Sequence, residues 1–347
     1  MRPIMLVGHE RPLTQVKYNR EGDLVFTCSK DNVASVWFSI NGERLGTLEG
    51  HTGAIWSIDV DQYTDCCVTG SADYSVKVWN VSNGKVVHTW NAPVPVKRVE
   101  FSPCGNYILA VLDDVMRYPG SINIYEVKRD ANTHEIVEFV EEPILIIDTQ
   151  EGHKGATVAG WSTEGRYIIA GHKDGKVSKY NAKTGEFLKS VEAHKQTIGD
   201  IQFSPDRSYF ITASRDSTAH ILDVETFEQL KTYEADCPLN TASITPLKQF
   251  VVLGGGQDAK DVTTTSAREG KFEARFYHKV FEEEIGRVKG HFGPLNTIAV
   301  DPQGTSYTSG GEDGFVRIHH FEKSYFDFKY DVEKAAEAKQ HMQEISA

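Results

Sequence analysis

Short apolar runs alternate with polar positions along most of the chain, as in VKVW (76–79), VKRVEF (96–101) and YFITAS (209–214). A period of two predicts half-buried β-strands. Turn chemistry separates the runs: SPCGN at 102–106, SPDRS at 204–208 and DPQGT at 301–305. Helical spacing is missing until DVEKAAEAKQHMQEISA (331–347), where Asp331 is placed to cap residues of good helix propensity. This predicts a short C-terminal helix. Just before it, Tyr325, Phe326, Phe328 and Tyr330 form an aromatic group that must pack either on the rest of the chain or on a partner.

The alternation is organised at a longer period. Gly8-His9 and Gly50-His51 lie 42 residues apart, as do Trp37 and Trp79. Later markers are His153, His194 and His291. In phase with them an aspartate precedes the end of an apolar strand by six residues: Asp31 to Trp37, Asp73 to Trp79, Asp174 to Tyr180, Asp216 to Leu222 and Asp313 to His319. From histidine to strand end takes 27 or 28 residues in all five units. Two further units are recognised by their strands alone, VKRVEFSPCGNYILAVL with SINIYEV, and NTASITPLKQFVVLGGG with FEARFYH. Four short strands per unit of about 40 to 45 residues predict an all-β, seven-bladed WD-repeat β-propeller. On this reading residues 1–324 form the propeller and 325–347 the aromatic segment and helix. A ring must close, so PIMLVGH at the N-terminus is expected to complete the last blade, with SYFDFKYD (324–331) as a competitor for that place.

Composition narrows the function. Hydrophobic residues make up 39% and charged ones 25%, as in an ordinary soluble globular protein. A net charge of -12 argues against a general grip on nucleic acid, which needs a lysine and arginine surplus. With no long apolar run and no signal peptide pattern, the chain reads as cytosolic or nuclear. The five cysteines, Cys28, Cys66, Cys67, Cys104 and Cys237, show no C-x-x-C pair or zinc spacing and are read as reduced core thiols. No metal or cofactor is implied.

Ser71, Asp73 and His51 have the residue types of a hydrolase triad. The set recurs one unit earlier as His9, Ser29, Asp31 with Trp37, however, and a catalytic site is normally unique in a chain. Repetition at the blade period points to a structural clasp. In WD repeats such a group resembles a chain in which Asp bonds His, His bonds Ser and Ser reaches the indole of Trp. Buried polar groups cost free energy unless paired, and each member here satisfies another. The full clasp set is His9, Ser29, Asp31, Trp37, His51, Ser71, Asp73 and Trp79. No nucleophile elbow, phosphate loop or zinc-protease motif occurs.

The sequence also resembles one family over its whole length, the i subunit of eukaryotic translation initiation factor 3, with fungal members nearest. The resemblance rests on GERLGTLEGHTGAIWSIDVD, GSADYSVKVW, LGGGQDAKDVTTTSAREGKFEARFYHKVFEEEIGRVKGHFGPLNT and GGEDGFVRIHHFEKSYFDFKYDVEKAAEAK. It implies a cytoplasmic, non-enzymatic scaffold that joins the b and g subunits and, through the complex, supports recruitment of mRNA and initiator tRNA to the small ribosomal subunit and scanning. It implies no membrane partner and no direct sequence-specific contact with nucleic acid. Asp206 and Asp223 are the expected contacts to a basic segment of the b subunit, with Gln257 near the same contact. A WD-repeat adaptor of another cytoplasmic assembly is the alternative.

Overall fold

The alternation closes into seven antiparallel sheets arranged as a β-propeller in the computed structural model, which describes residues 2–115, 118–130, 132–149, 155–257, 271–330 and 334. Blade two shows the plan: inner strand Ile55–Val60, second strand Cys66–Ser71, third strand Ser75–Asn80 and outer strand Val86–Asn91. Its second strand is buried throughout, whereas its outer strand is largely exposed. Sheets stacked face to face bury both surfaces of the middle strands, which is why those strands read as continuous apolar runs. The cores lie between blades: Val68, Val76 and Val78 of blade two pack with Val96, Val99 and Ile108 of blade three. Each such side chain contributes about 1.5–3 kcal/mol by leaving water.

The ring closes through both ends of the chain. Ile4–Leu6 pairs antiparallel with Val316–His320, Ile4 opposite Ile318, and supplies the outer strand of the last blade. The competing segment does not add a strand, because Lys323–Asp327 turns into a short helix. Its aromatics pack on the propeller: Tyr325 stacks on Phe321 at 3.8 Å between ring centroids, and Phe328 and Tyr330 lie 5.9 Å from Phe250 and 4.8 Å from His278. The helix expected over 331–347 lies outside the described residues apart from Lys334, whose N–H donates to the Tyr330 carbonyl at 3.0 Å.

Blade three is enlarged. Its third strand, Ser121–Arg129, pairs with both Leu145–Asp148 and Ile136–Phe139. Phe139 then reaches back over Trp90 of blade two, whose indole N–H donates to the Val140 carbonyl at 2.9 Å. Every inner strand carries a register shift after its first residue, for example between Val96 and Arg98 and between Ile55 and Ser57. A β-bulge inserts one residue and re-aims the strand. Repeated seven times, it places one extra residue per blade at the same mouth of the central channel.

The cysteine reading needs one correction. Cys28, Cys66, Cys67 and Cys237 are buried, and burial raises their thiol pKa values, but Cys104 is exposed. It sits in the turn after the inner strand of blade three, its thiol beside the Ser102 hydroxyl at 3.2 Å and its carbonyl accepting from the Gln62 side chain of blade two at 3.4 Å.

Candidate functional site

In blade two the histidine before the inner strand meets the turn that follows the second strand. His51 Nδ1 lies 2.8 Å from Asp73 Oδ2, and His51 Nε2 lies 2.6 Å from Thr69 Oγ1. The Trp79 indole N–H donates to the same Thr69 oxygen at 2.8 Å. Blade one repeats this with His9 and Asp31 at 2.9 Å, His9 and Thr27 at 2.8 Å, and Trp37 to Thr27 at 2.9 Å. Thr69 and Trp79 are wholly buried, so each polar atom depends on its protein partner.

The serine of the expected clasp is not a member. Ser71 Oγ donates instead to the Gly53 and Ala54 carbonyls, each at 3.1 Å, and accepts the Asp73 N–H at 3.1 Å. Ser29 does the same work with the Arg11 carbonyl and the Asp31 N–H. The physical reason is position: the serine ends the second strand beside the start of the inner one, so backbone carbonyls are its nearest acceptors. The threonine two residues earlier lies between imidazole and indole. A sequence signal for it exists, since a hydroxyl follows the marker histidine by 18 residues in blades one, two, five and seven, as Thr27, Thr69, Thr212 and Ser309. At the serine position blade seven has Gly311. His153 of blade four lies outside the described residues.

Protonation follows from this arrangement. Burial holds His51 below its ordinary pKa against the opposing pull of Asp73. Burial works to raise Asp73, but hydrogen bonds from Ser75, the Thr52 N–H and His51 outweigh it and hold the carboxyl at about 2. A neutral imidazole then donates from Nδ1 to the carboxylate and accepts the threonine O–H at Nε2, while the threonine oxygen accepts the indole N–H. Both ring nitrogens are occupied and neither faces Ser71, so this geometry holds no base for a serine nucleophile. In blade five Leu222 stands in the tryptophan position, and His194 is pushed down to about 4 by burial and by His220, stacked at 4.3 Å.

The three expected partner contacts separate. Asp206 lies in the turn between inner and second strands of blade five, and Asp223 lies at the end of the third strand, directly opposite Tyr209. The Val224 N–H donates to the Ser208 carbonyl at 3.0 Å, so these two turns adjoin on one face. Asp206 is exposed and held below its usual range, chiefly by the Ser204 hydroxyl at 2.6 Å. Asp223 accepts the Glu225 and Thr226 N–H groups on one oxygen, as Asn181 accepts Lys183 and Thr184 in blade four. Gln257 corrects the expectation. It follows the second strand of blade six, and antiparallel strands put that loop at the opposite face, a strand length of about 20 Å away. There it stands two residues past Gly255, as Asp73 stands two past Ser71.

Among the described residues no group of three histidine, cysteine or acidic side chains could hold a metal ion, and no helix is long and apolar enough to cross a membrane. The EIF3I family model matches residues 1–331. The chain is 83% identical over 347 residues to eukaryotic translation initiation factor 3 subunit I of Vanderwaltozyma polyspora, covering all of both chains. The chain belongs to this family. Its identity to the subunit I proteins of Saccharomyces cerevisiae is 72% over the full length of both chains, and to that of Candida albicans 59% over 97% of this chain and 98% of the relative. Membership of the initiation factor 3 subunit I family moves attention from the repeated clasps to what distinguishes one blade from another.

Proposed function

We propose that the chain is a non-catalytic docking subunit of cytoplasmic translation initiation factor 3 that holds the b and g subunits. Through the complex it supports recruitment of mRNA and initiator tRNA to the small ribosomal subunit, and scanning. The observation that carries this reading is the end-to-end match to subunit I proteins, at 83% identity in the Vanderwaltozyma relative. The occupied ring nitrogens of His51 favour it over a hydrolase. On this reading Asp206 and Asp223, on adjoining turns, present their carboxylates to a basic segment of the b subunit. Replacing both by lysine tests it, with the fold checked by circular dichroism. Capture of the b subunit is expected to fall at least about tenfold, as for close interface charge pairs. Undiminished capture by the folded variant refutes the assignment of these two residues, and absence of other initiation factor 3 subunits from material co-purified with the tagged chain refutes the wider reading.

A further inference from the structure

Blade four buries a charge where every other blade is apolar. The residues just before Trp37 and Trp79 are Val36 and Val78, and the same place on the third strand holds Ile124, Ile221, Phe276 and Ile318 in blades three, five, six and seven. In blade four it holds Lys179, which is only 6% exposed. Its ammonium reaches across the blade boundary to the turn that follows the third strand of blade five, donating to the Val224 and Glu225 carbonyls at 2.9 and 2.7 Å. The Tyr167 and Phe227 rings lie 4.8 and 5.0 Å away. Taking an ammonium out of water is costly, and here two of its three donors and its apolar flank are spent on one turn of the neighbouring blade.

Phe227 is a second exception in the same turn. Its φ of 60° lies in the left-handed region, at the place where blades one, two and four have Gly42, Gly84 and Gly185 and blades three and six have the exposed His134 and Glu282. A buried aromatic residue there is strained, and such strain persists only where the surroundings hold it. The turn is that of Asp223. Lys189, also from blade four, holds its Thr226 carbonyl at 2.8 Å, while one Asp223 oxygen takes the Glu225 and Thr226 N–H groups. Thr163 of blade four likewise donates to the Arg207 carbonyl beside Asp206 at 2.6 Å. Both acidic turns of blade five are thus fixed from blade four.

We propose that Lys179, seated against Phe227, is a positioning residue for docking: it orders the Asp223 turn in the free protein, so that the Asp206 and Asp223 carboxylates meet a basic partner segment at a set spacing. The inference rests on the docking role given above to these two aspartates. A turn already ordered has less freedom to lose on association, which favours binding. The charge of Lys179 acts the other way, because a cation beneath the turn opposes a basic partner. Removing it therefore strengthens capture if its field is what matters and weakens capture if its hold on the turn is.

The test is titration of the folded full chain with the b subunit, beside hydrogen exchange at the Glu225 and Thr226 amides. Lys179→Met, apolar as in the other blades, is expected to speed that exchange and weaken binding by about three- to tenfold, the cost of ordering a turn on association. Lys189→Ala, at an exposed site, decides the matter should Lys179→Met fail to fold, and is expected to weaken binding about twofold. Asp223→Asn removes the charge and keeps the turn, as Asn181 does in blade four, and in that background Lys179→Met is expected to cost clearly less. A merely structural role would lower the unfolding midpoint and leave the affinity of the folded protein unmoved. Unchanged or tighter binding by the lysine variants, or an equal loss with and without the Asp223 carboxylate, overturns the inference while the docking role stands. Undiminished capture by Asp206→Lys with Asp223→Lys refutes the docking role, and this one with it.

Discussion

Blades two and six have the same four-stranded plan and opposite solutions to the same interior. In blade two the position four residues before the inner strand is His51, the fourth residue of the second strand is Thr69, and the fifth of the third strand is Trp79. In blade six these places hold Ala235, Leu253 and Tyr277. Blade three makes nearly the same exchange, with Ala92, Ala110 and Tyr125. Blades one and two carry the polar chain whole and blades three and six lack it, while blade five keeps His194, Thr212 and Asp216 with Leu222 in the tryptophan position. A buried polar group left unpaired is worse than an apolar one, so a member can be exchanged alone only where its loss strands no partner, as when the indole donor goes. Tyr277 keeps its own hydroxyl satisfied by donating to the Glu234 carbonyl at 2.9 Å.

The largest effect expected from breaking this arrangement is that of Trp79→Ala, which removes a fully buried indole from between blades one and two. A loss of about 3–5 kcal/mol is expected from burial and cavity together, read from urea unfolding midpoints at constant slope. A loss below about 1 kcal/mol would mean that the blades slide to refill the space, against the close packing inferred here.

Next in size is Thr69→Val, which keeps the shape and strands both the indole N–H and His51 Nε2. It is expected to cost about 1–3 kcal/mol. The decisive comparison is the triple replacement His51→Ala, Thr69→Leu, Trp79→Tyr, which copies blade six into blade two. Its cost is expected to be clearly smaller than the sum of the three single substitutions, since residues in one network do not add. Additive losses would show that the three groups act separately and that the contrast between the blades is an accident of side-chain size.

The fold and its closure were legible in the chain because two markers kept one register, and because strand alternation needs no knowledge of partners. Gln257 was misplaced for a reason that strand direction explains: proximity in the blade order says nothing about face, and only counting strand reversals separates it from Asp223. Ser71 drew attention because serine is the familiar member of a triad, while Thr69 sits inside an apolar strand as VTGS and reads there as a β-former. The lining of the channel mouth was hidden altogether, since Lys30, Lys97 and Arg215 come from three blades and meet only when the ring closes. The tail beyond Tyr330, apart from Lys334, lies outside the described residues.

A smaller effect follows from acid. His194 titrates near 6.5 when unfolded and only at about 4 when folded, so between those values the unfolded chain binds more protons and stability falls as pH falls. His51 and His291 move in the same direction, burial being the main cause. Asp73 acts lower: its stabilisation is full above about 3.9 and is lost as pH falls through about 2. Unfolding measured from pH 7 to pH 4 is therefore expected to show a declining free energy, each group contributing at most about 1.4 kcal/mol per pH unit. The variant copying blade six, which has lost His51, is expected to decline less steeply. An identical slope would show that His51 is not part of the acid response.

The smallest effect expected is that of Ser71→Ala. The residue is fully buried and its hydroxyl bridges two carbonyls and one N–H, so the loss is not zero. Yet Gly255 and Gly311 fill the same place in blades six and seven, and those blades close without any hydroxyl there. The Gly53 and Ala54 carbonyls left behind lie in a surface turn, both residues only half-buried, where water can replace the serine. About 1 kcal/mol is expected, less than for Thr69→Val, whose two stranded groups are sealed from solvent. The order of these two substitutions, measured side by side, decides which hydroxyl the clasp depends on: a costlier Ser71→Ala would return the serine to its centre and break the contrast between blades two and six at its most specific point.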